Sequence, residues 1–200
     1  MKLFCHPISP YARKAMILAR LSSIELEEII PEKDGANGYK AGDNPLGKIP
    51  ALEWQTGQFL FDSPVICQYL DSLRSEPLLP KDGHQRFIQL WQHALGDGLS
   101  DAVYNYRYET VRPKELHWDE MIDRHDASIR NAIKTLENIC DWLGEPWSYG
   151  NLAIICALDY ADYRAGHVNW RKQAPKLSDW YDRFKSEAAW QDTYGYGGDI

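Results

Sequence analysis

Two domains of different class are predicted for this chain, an α/β domain in front and an all-α domain behind it. Up to about residue 75, short strand-like and helix-like segments alternate, whereas everything after residue 84 reads as helix after helix. The change falls at Glu76-Pro77-Leu78-Leu79-Pro80-Lys81-Asp82-Gly83, where two prolines and a glycine interrupt any helix. Sixteen of the twenty Trp and Tyr residues lie beyond it, which gives the rear domain an aromatic-rich character. The domains are therefore set at residues 1–76 and 85–200, with 77–84 as the linker.

In the front half, residues 2–5 read as a short strand and 10–21 as a helix with Tyr11, Ala15, Leu18 and Ala19 on one face. Residues 24–30 are apolar enough for a second strand, and the intervening helix makes the pair parallel. Residues 51–54 and 58–61 are two apolar runs separated by Gln55-Thr56-Gly57, a hairpin signal with glycine in the loop. Residues 63–73 return to helical spacing. Strand, helix, strand, an irregular stretch over 31–48, then hairpin and helix is the element order of a thioredoxin-like fold. In the rear half, residues 85–108, 119–143, 152–165 and 175–187 carry helical apolar spacing, punctuated by Gly144, Gly150 and Pro175. Residues 195–200 read as a loose tail.

Composition narrows the class of function. With 44% hydrophobic residues and 26% charged, the chain is ordinary globular material. Its start has no apolar stretch flanked by a basic region and a cleavage site, and the longest apolar run, residues 152–158, is far too short to span a bilayer. These features predict a cytoplasmic protein with no membrane partner. The net charge of −7 is spread along the chain and shows no basic face, which argues against nucleic acid and anionic membrane. Cys5, Cys67, Cys140 and Cys156 lie far apart with no Cys-x-x-Cys pair, so neither a metal knuckle nor a dithiol centre is expected. Nor do His84, His93, His117, His125 and His167 show metal-ligand spacing; they are expected to be solvated or capping.

Three short motifs carry chemistry. Ser9-Pro10 follows the first strand, with serine suited to a helix cap and proline to the first turn. Taken alone, that is a helix start. The same geometry has a chemical use, because a thiolate there meets unpaired N–H groups, the positive end of the helix dipole and a hydroxyl donor. A free thiol ionises near pH ~8.5, and lowering its pKa by about two units takes roughly 2.7 kcal/mol. One hydrogen bond to a charged group supplies about 1.5–3 kcal/mol, so a single serine suffices.

The second motif is Asn44-Pro45-Leu46-Gly47-Lys48-Ile49-Pro50, running into a strand. A cis Ile49-Pro50 bond here would turn the Ile49 N–H and C=O outward to pair with an extended peptide; an ordinary trans proline at a strand entry is the alternative. Gly42 to Lys48 also has the spacing of a phosphate loop, but Ile49 stands where Ser or Thr should hold Mg²⁺, and no helix follows. The third motif, Phe61-Asp62-Ser63-Pro64, is another cap-then-proline start. Its carboxylate and hydroxyl beside free N–H groups suit an α-amino acid, with Asp62 on the ammonium and Ser63 on the carboxylate.

In this order and context the sequence resembles the glutathione S-transferase family, specifically its bacterial serine-type members. The resemblance runs from Ser9-Pro10-Tyr11-Ala12-Arg13-Lys14 through the Asn44 to Pro50 motif and Phe61-Asp62-Ser63 to the helical rear. It implies glutathione bound across the front domain, with no metal. Ser9 would donate to the sulfur, Ile49 ahead of a cis Pro50 would pair with the cysteinyl backbone, and Asp62 with Ser63 would bind the γ-glutamyl end. Lys48 and Lys33 are candidates for the glycyl carboxylate. A pocket for a second, electrophilic substrate is expected around Tyr104, Arg107 and Tyr108, which share a helix face, with His6, Pro7 and Arg112 at its rim. Thiol-dependent redox relatives carry Cys-Pro-Tyr-Cys at the first helix; Ser9-Pro10-Tyr11-Ala12 has neither thiol. Where relatives pair Ser or Thr with an acidic residue three positions on at the start of a core helix, Asn151 is expected to cap and Ile154 stands in the acidic position.

The expected activity is conjugation of glutathione to a small electrophile, and the resemblance implies a homodimer joined through the front domain of one copy and the rear domain of the other. Two alternatives stay open at this point: a glutathione-binding or regulatory protein without turnover, and a glutathione-dependent reductase or peroxidase.

Overall fold

A computed structural model of the chain describes residues 1–144 and 147–196. They form two compact units: one comprises Met1–Lys81 with the chain from Ala188 onward, the other Asp82–Glu187.

The first unit is built on a four-stranded sheet of order β2-β1-β3-β4, with β1 at Lys2–Phe4, β2 at Glu27–Ile29, β3 at Ala51–Gln55 and β4 at Gln58–Leu60. Helix α1, Pro10–Leu21, is the crossover that lets β2 run parallel to β1, and β3 and β4 form the expected hairpin through Gly57, whose φ of 71° belongs to glycine. Helix α2, Ser63–Ser72, packs against α1. Strand β2 is shorter than the apolar run 24–30 suggested, because only Glu27–Ile29 find partners on β1.

Helix α1 departs most from its sequence pattern. A helix on one face of a sheet should keep a polar stripe, yet every residue from Ala12 to Ala19 is buried, including Arg13 and Lys14. Besides α2, helix α8, Ala188–Gln191, returns from the far end of the chain and packs on α1, where the Arg13 side chain meets the Trp190 and Thr193 carbonyls. The expected loose tail is thereby corrected as far as Tyr196. A Cβ on Gly195 would lie 2.3 Å from the Cβ of Pro7, and the Tyr196 hydroxyl donates to the Ile8 carbonyl at 3.1 Å. Residues 197–200 lie outside the described residues.

At the other end of α1, Arg74 donates to the Leu21 carbonyl at 2.8 Å and to the Ser22 hydroxyl at 2.9 Å. The buried Asp71 carboxylate accepts from the N–H groups of Leu78 and Leu79 at 2.7 and 2.9 Å, which fixes the segment leaving α2. The buried side chains of Asn44, Asp71 and Thr193 in this unit bond to backbone groups, as burial requires.

The second unit is helical: α3 at Gly83–Thr110, α4 at Asp119–Asn138, α5 at Tyr149–Arg164, α6 at Trp170–Gln173 and α7 at Pro175–Asp182. Helix α5 is its axis, buried from Tyr149 to Ala161. The capping expectation is corrected here. Helix α5 starts three residues earlier than the apolar run suggested, Ser148 is the cap and accepts from the Asn151 N–H at 3.3 Å, and Asn151 donates through its side chain to the Leu143 carbonyl at 3.0 Å. In the sequence Gly150 looks like punctuation, which puts the cap at Asn151; Gly150 is instead the small residue that admits Gln92, 2.6 Å from where its Cβ would stand. His93 is likewise not solvated: it is buried and stacks on Tyr149 at 4.6 Å, and Nδ1 lies 3.1 Å from the Tyr149 carbonyl, which can only accept.

Helices α3 and α5 approach closely at Gly96, where a Cβ would stand 2.5 Å from the backbone carbon of Ala153. Overpacking a crossing of this kind costs about 1–3 kcal/mol. Gly96→Ala is therefore expected to lower the unfolding free energy in urea by about that much; an unchanged midpoint would contradict this crossing.

Candidate functional site

The strand registers decide where the site forms. Phe4 pairs with Ala51 in the antiparallel β1–β3 ladder, Leu52 pairs with Leu60 across the hairpin, and Phe4 pairs with Ile29 in parallel. The chain leaving β1, the chain entering β3, the chain leaving β4 and the chain leaving β2 therefore all lie at one end of the sheet. Those four connections hold Ser9, Ile49-Pro50, Asp62-Ser63 and Lys33, respectively.

Ser9 is half-buried and caps α1, accepting from the Ala12 N–H at 3.2 Å, with Pro10 in the first turn. The cap and the chemical reading are compatible, since a hydroxyl has two acceptor lone pairs and one donor hydrogen. A lone pair takes the Ala12 N–H, and the O–H remains to donate toward an anion. The turn before it is fixed by Ser9 N–H to the His6 carbonyl at 2.9 Å and Ile8 N–H to His6 Nδ1 at 3.3 Å. The His6 pKa is lowered from 6.5, by burial first and by the positive charge of Lys33 second. The imidazole is therefore neutral at pH 7 and keeps its acceptor; protonation works against this turn only as the pH falls below 6.5. Lys33 thus stands close enough to the Ser9 turn for its charge to be felt there.

The Ile49–Pro50 peptide is cis, and among the described residues neither backbone group of Ile49 has a hydrogen-bond partner. The loop that delivers it is locked by a residue to which the sequence reading gave no role. Asn44, buried, donates to the Lys48 carbonyl at 2.8 Å and accepts from the Leu46 N–H at 3.0 Å. Gly47, at φ 59°, passes so close to Asn37 that a Cβ would lie 1.8 Å from its carbonyl oxygen, and its own carbonyl accepts from the Tyr39 N–H at 2.8 Å. The loops carrying Lys33 and Lys48 are thereby joined, with the Lys48 side chain exposed. The legible signal for Asn44 was an amide before a proline turn.

Asp62 is the exposed cap residue of α2, its peptide with Phe61 also cis, and Ser63 is the buried first residue of the helix. Asp62 makes no side-chain capping bond of its own, which leaves a carboxylate beside the helix N-terminus. Cys5, at the end of β1, is buried with its thiol pushed up to about 12, by burial first and the Glu28 carboxylate second, so it carries no thiolate near neutrality. All four cysteines are free and buried. Among the described residues no group of His, Cys, Asp and Glu could hold a metal ion, and no helix is long and apolar enough to cross a membrane.

The residues expected around a second substrate divide between the units. His6 and Pro7 belong to the Ser9 turn. In the second unit, Tyr104 and Tyr108 are exposed one turn apart on α3 with ring centroids 4.3 Å apart, and Arg107 lies half-buried between them in sequence. Arg112 is engaged elsewhere, donating to both carboxylate oxygens of Glu109 at 3.0 and 3.1 Å, while Glu109 also accepts from the Trp118 N–H at 3.0 Å.

Comparison with known proteins identifies relatives of both units. Residues 8–73 match the family described as glutathione S-transferase, N-terminal domain, and residues 119–183 match glutathione S-transferase, C-terminal domain. An uncharacterized GST-like protein of Escherichia coli K12, YibF, is 30% identical over 181 residues, covering 88% of this chain and 90% of its own. A glutathione transferase family member from Pseudomonas fluorescens Pf-5 is similar in two crystal structures. With bound glutathione it superposes with a TM-score of 0.87 at 36% identity, over 96% of this chain and 97% of that one. With bound S-(propanoic acid)-glutathione the TM-score is 0.84 at 35% identity, over 97% and 98%. With both domain families matched and a relative of this identity aligned over nearly its full length, the chain belongs to the glutathione S-transferase family.

Proposed function

We propose that the chain is a glutathione transferase in which Ser9 holds the sulfur of glutathione as a thiolate for attack on a small electrophile. The observation that carries the reading is the convergence of Ser9, Ile49 and Asp62-Ser63 at one end of a single sheet. Glutathione offers an α-amino acid at one end, a cysteinyl amide in the middle and a glycyl carboxylate at the other end. Asp62 takes the ammonium, while Ser63 and the start of α2 take the adjacent carboxylate. Ile49 pairs with the cysteinyl N–H and C=O as an added antiparallel strand would, ahead of Pro50. Lys48 and Lys33 balance the glycyl carboxylate, and the sulfur falls at the Ser9 hydroxyl.

Ionisation releases the thiol proton to solvent, and the Ser9 O–H donates to the resulting anion while its lone pair keeps the Ala12 N–H. A sulfur lone pair then forms the S–C bond. In substitution the leaving group departs with its bonding pair; in addition to a conjugated alkene the π pair moves onto the substrate, which takes a proton from water. Holding both reactants replaces a bimolecular encounter with an effectively unimolecular step. Tyr104 and Tyr108 supply flat apolar surface and Arg107 a positive charge, which suits an electrophile bearing a carboxylate or an electron-poor group. The Pseudomonas fluorescens relative holds a glutathione whose sulfur bears such an acid. A protein thiol has no part in the reaction, because Cys5 is held protonated and positions 9 and 12 are Ser and Ala.

Free cysteines and use of glutathione fit the reducing cytoplasm. The protein acts as a homodimer, the front domain of one copy on the rear domain of the other. Supporting this, Phe87 and Trp91, one turn apart on α3, and Leu46 and Val65 in the first unit all present apolar surface.

Two outcomes are expected. Ser9→Ala raises the pKa of the bound thiol by about one to two units. Turnover at neutral pH then falls about ten- to hundredfold and recovers as the pH rises; a thiolate absorbance titration unchanged by the substitution would remove Ser9 from the mechanism. Sedimentation at micromolar concentration should give twice the 23.1 kDa chain mass, and a monomer would rule out the dimer.

A further inference from the structure

The turn that presents Ser9 is gripped on both sides by the end of the chain. One helical turn after Ser9 stands Arg13, whose N–H donates to the Ser9 carbonyl at 2.9 Å and whose side chain is fully buried. Its Nε donates to the Thr193 carbonyl at 3.1 Å and a terminal nitrogen donates to the Trp190 carbonyl at 3.2 Å. The guanidinium lies 5.3 Å from the ring centroids of Trp190 and Tyr194 and 5.9 Å from that of Tyr196. A buried guanidinium is tolerated only where its donors are met and its charge is compensated. Two backbone carbonyls and the faces of three rings contribute to this, from residues 190–196.

On the near side of Ser9, the Tyr196 hydroxyl donates to the Ile8 carbonyl at 3.1 Å, and Gly195 passes Pro7 so closely that no Cβ would fit. The Ile8 carbonyl belongs to the planar peptide that joins Ile8 to Ser9. Its partner therefore fixes the plane from which the Ser9 side chain projects, just as His6 Nδ1 fixes the plane before it. Elsewhere in this unit, hydrogen bonds from the C-terminal segment would only fasten it down; these two attach it to the residues immediately before Ser9 and one turn after it.

We infer that Arg13 and Tyr196 are positioning residues for the Ser9 hydroxyl, and that the C-terminal segment is a strap whose docking sets how strongly Ser9 stabilises bound glutathione thiolate. This rests on the role of Ser9 proposed above. Arg13 anchors the strap and Tyr196 transmits its position to the Ile8–Ser9 peptide. Neither side chain needs to touch the substrate.

The test uses four full-length proteins: the parent, Tyr196→Phe, Ser9→Ala and the double variant. Each is titrated with glutathione bound, assayed for kcat/KM against pH, and melted. Tyr196→Phe removes one hydroxyl and keeps the ring beside Arg13, so the melting temperature should hold. The bound thiol pKa is expected to rise, with kcat/KM at neutral pH falling about three- to tenfold, the effect of one lost hydrogen bond. In the Ser9→Ala background the same substitution should move neither quantity, because its effect passes through Ser9. An unmoved thiol pKa in Tyr196→Phe, or an equal shift in both backgrounds, would overturn the strap while leaving Ser9 in place. A thiol pKa unmoved by Ser9→Ala would instead remove the Ser9 reading, and the strap's role with it. Arg13→Lys keeps the charge and loses the forked grip on two carbonyls, and should shift the pKa in the same direction; no shift would exclude Arg13 from the role.

Discussion

The pairing of Phe4 with Ala51, and of Leu52 with Leu60, is the constraint on which the site depends. Side chains in a strand alternate faces, so a slip of one residue in either ladder would turn the buried Leu3 and Leu52 toward solvent. The hydrophobic cost of that slip holds the register, and the register in turn delivers three chain connections to one end of the sheet. Each connection ends in a feature that presents backbone polar groups: a helix start at Ser9, a cis proline turn at Ile49-Pro50 and a second helix start at Asp62-Ser63. A peptide ligand bound as proposed would be met by groups the fold has already placed, which limits what binding loses to ordering.

Ser9 shows why one residue can serve both structure and chemistry. As a cap it uses a lone pair, and in the proposed role as a thiolate donor it would use its hydrogen. The same economy governs the turn around it. His6 is neutral because burial and the charge of Lys33 disfavour its protonation, and only a neutral ring can accept the Ile8 N–H. Buried Arg13 draws the chain from Trp190 to Tyr196 onto helix α1, and that chain closes on the carbonyl next to Ser9.

Much of the first unit was legible in the sequence because strand-helix-strand-hairpin-helix order, cap-then-proline starts and glycine in the hairpin are local signals. Pro50 was legible as a cis candidate from its place ahead of a strand. What stayed hidden depends on distant partners. The burial of Arg13 contradicts the helical stripe of α1, and its side chain is met by Trp190 and Thr193 at the opposite end of the chain. Asn44 reads as a turn residue until its side chain is seen to hold the Lys48 carbonyl. In the second unit the α5 cap was misplaced by three residues, since Gly150 looks like a break and is in fact a contact with Gln92. His93 reads as a surface histidine until Tyr149 supplies both a ring and a carbonyl.

In the proposed complex glutathione lies along the end of the first unit's sheet with its sulfur at Ser9. A crystal structure of the protein grown with glutathione tests it most directly. The sulfur is expected within hydrogen-bonding distance of Ser9 Oγ, the cysteinyl backbone paired with Ile49, and the γ-glutamyl ammonium on Asp62. Glutathione bound elsewhere, or seated with its sulfur away from Ser9, would contradict it.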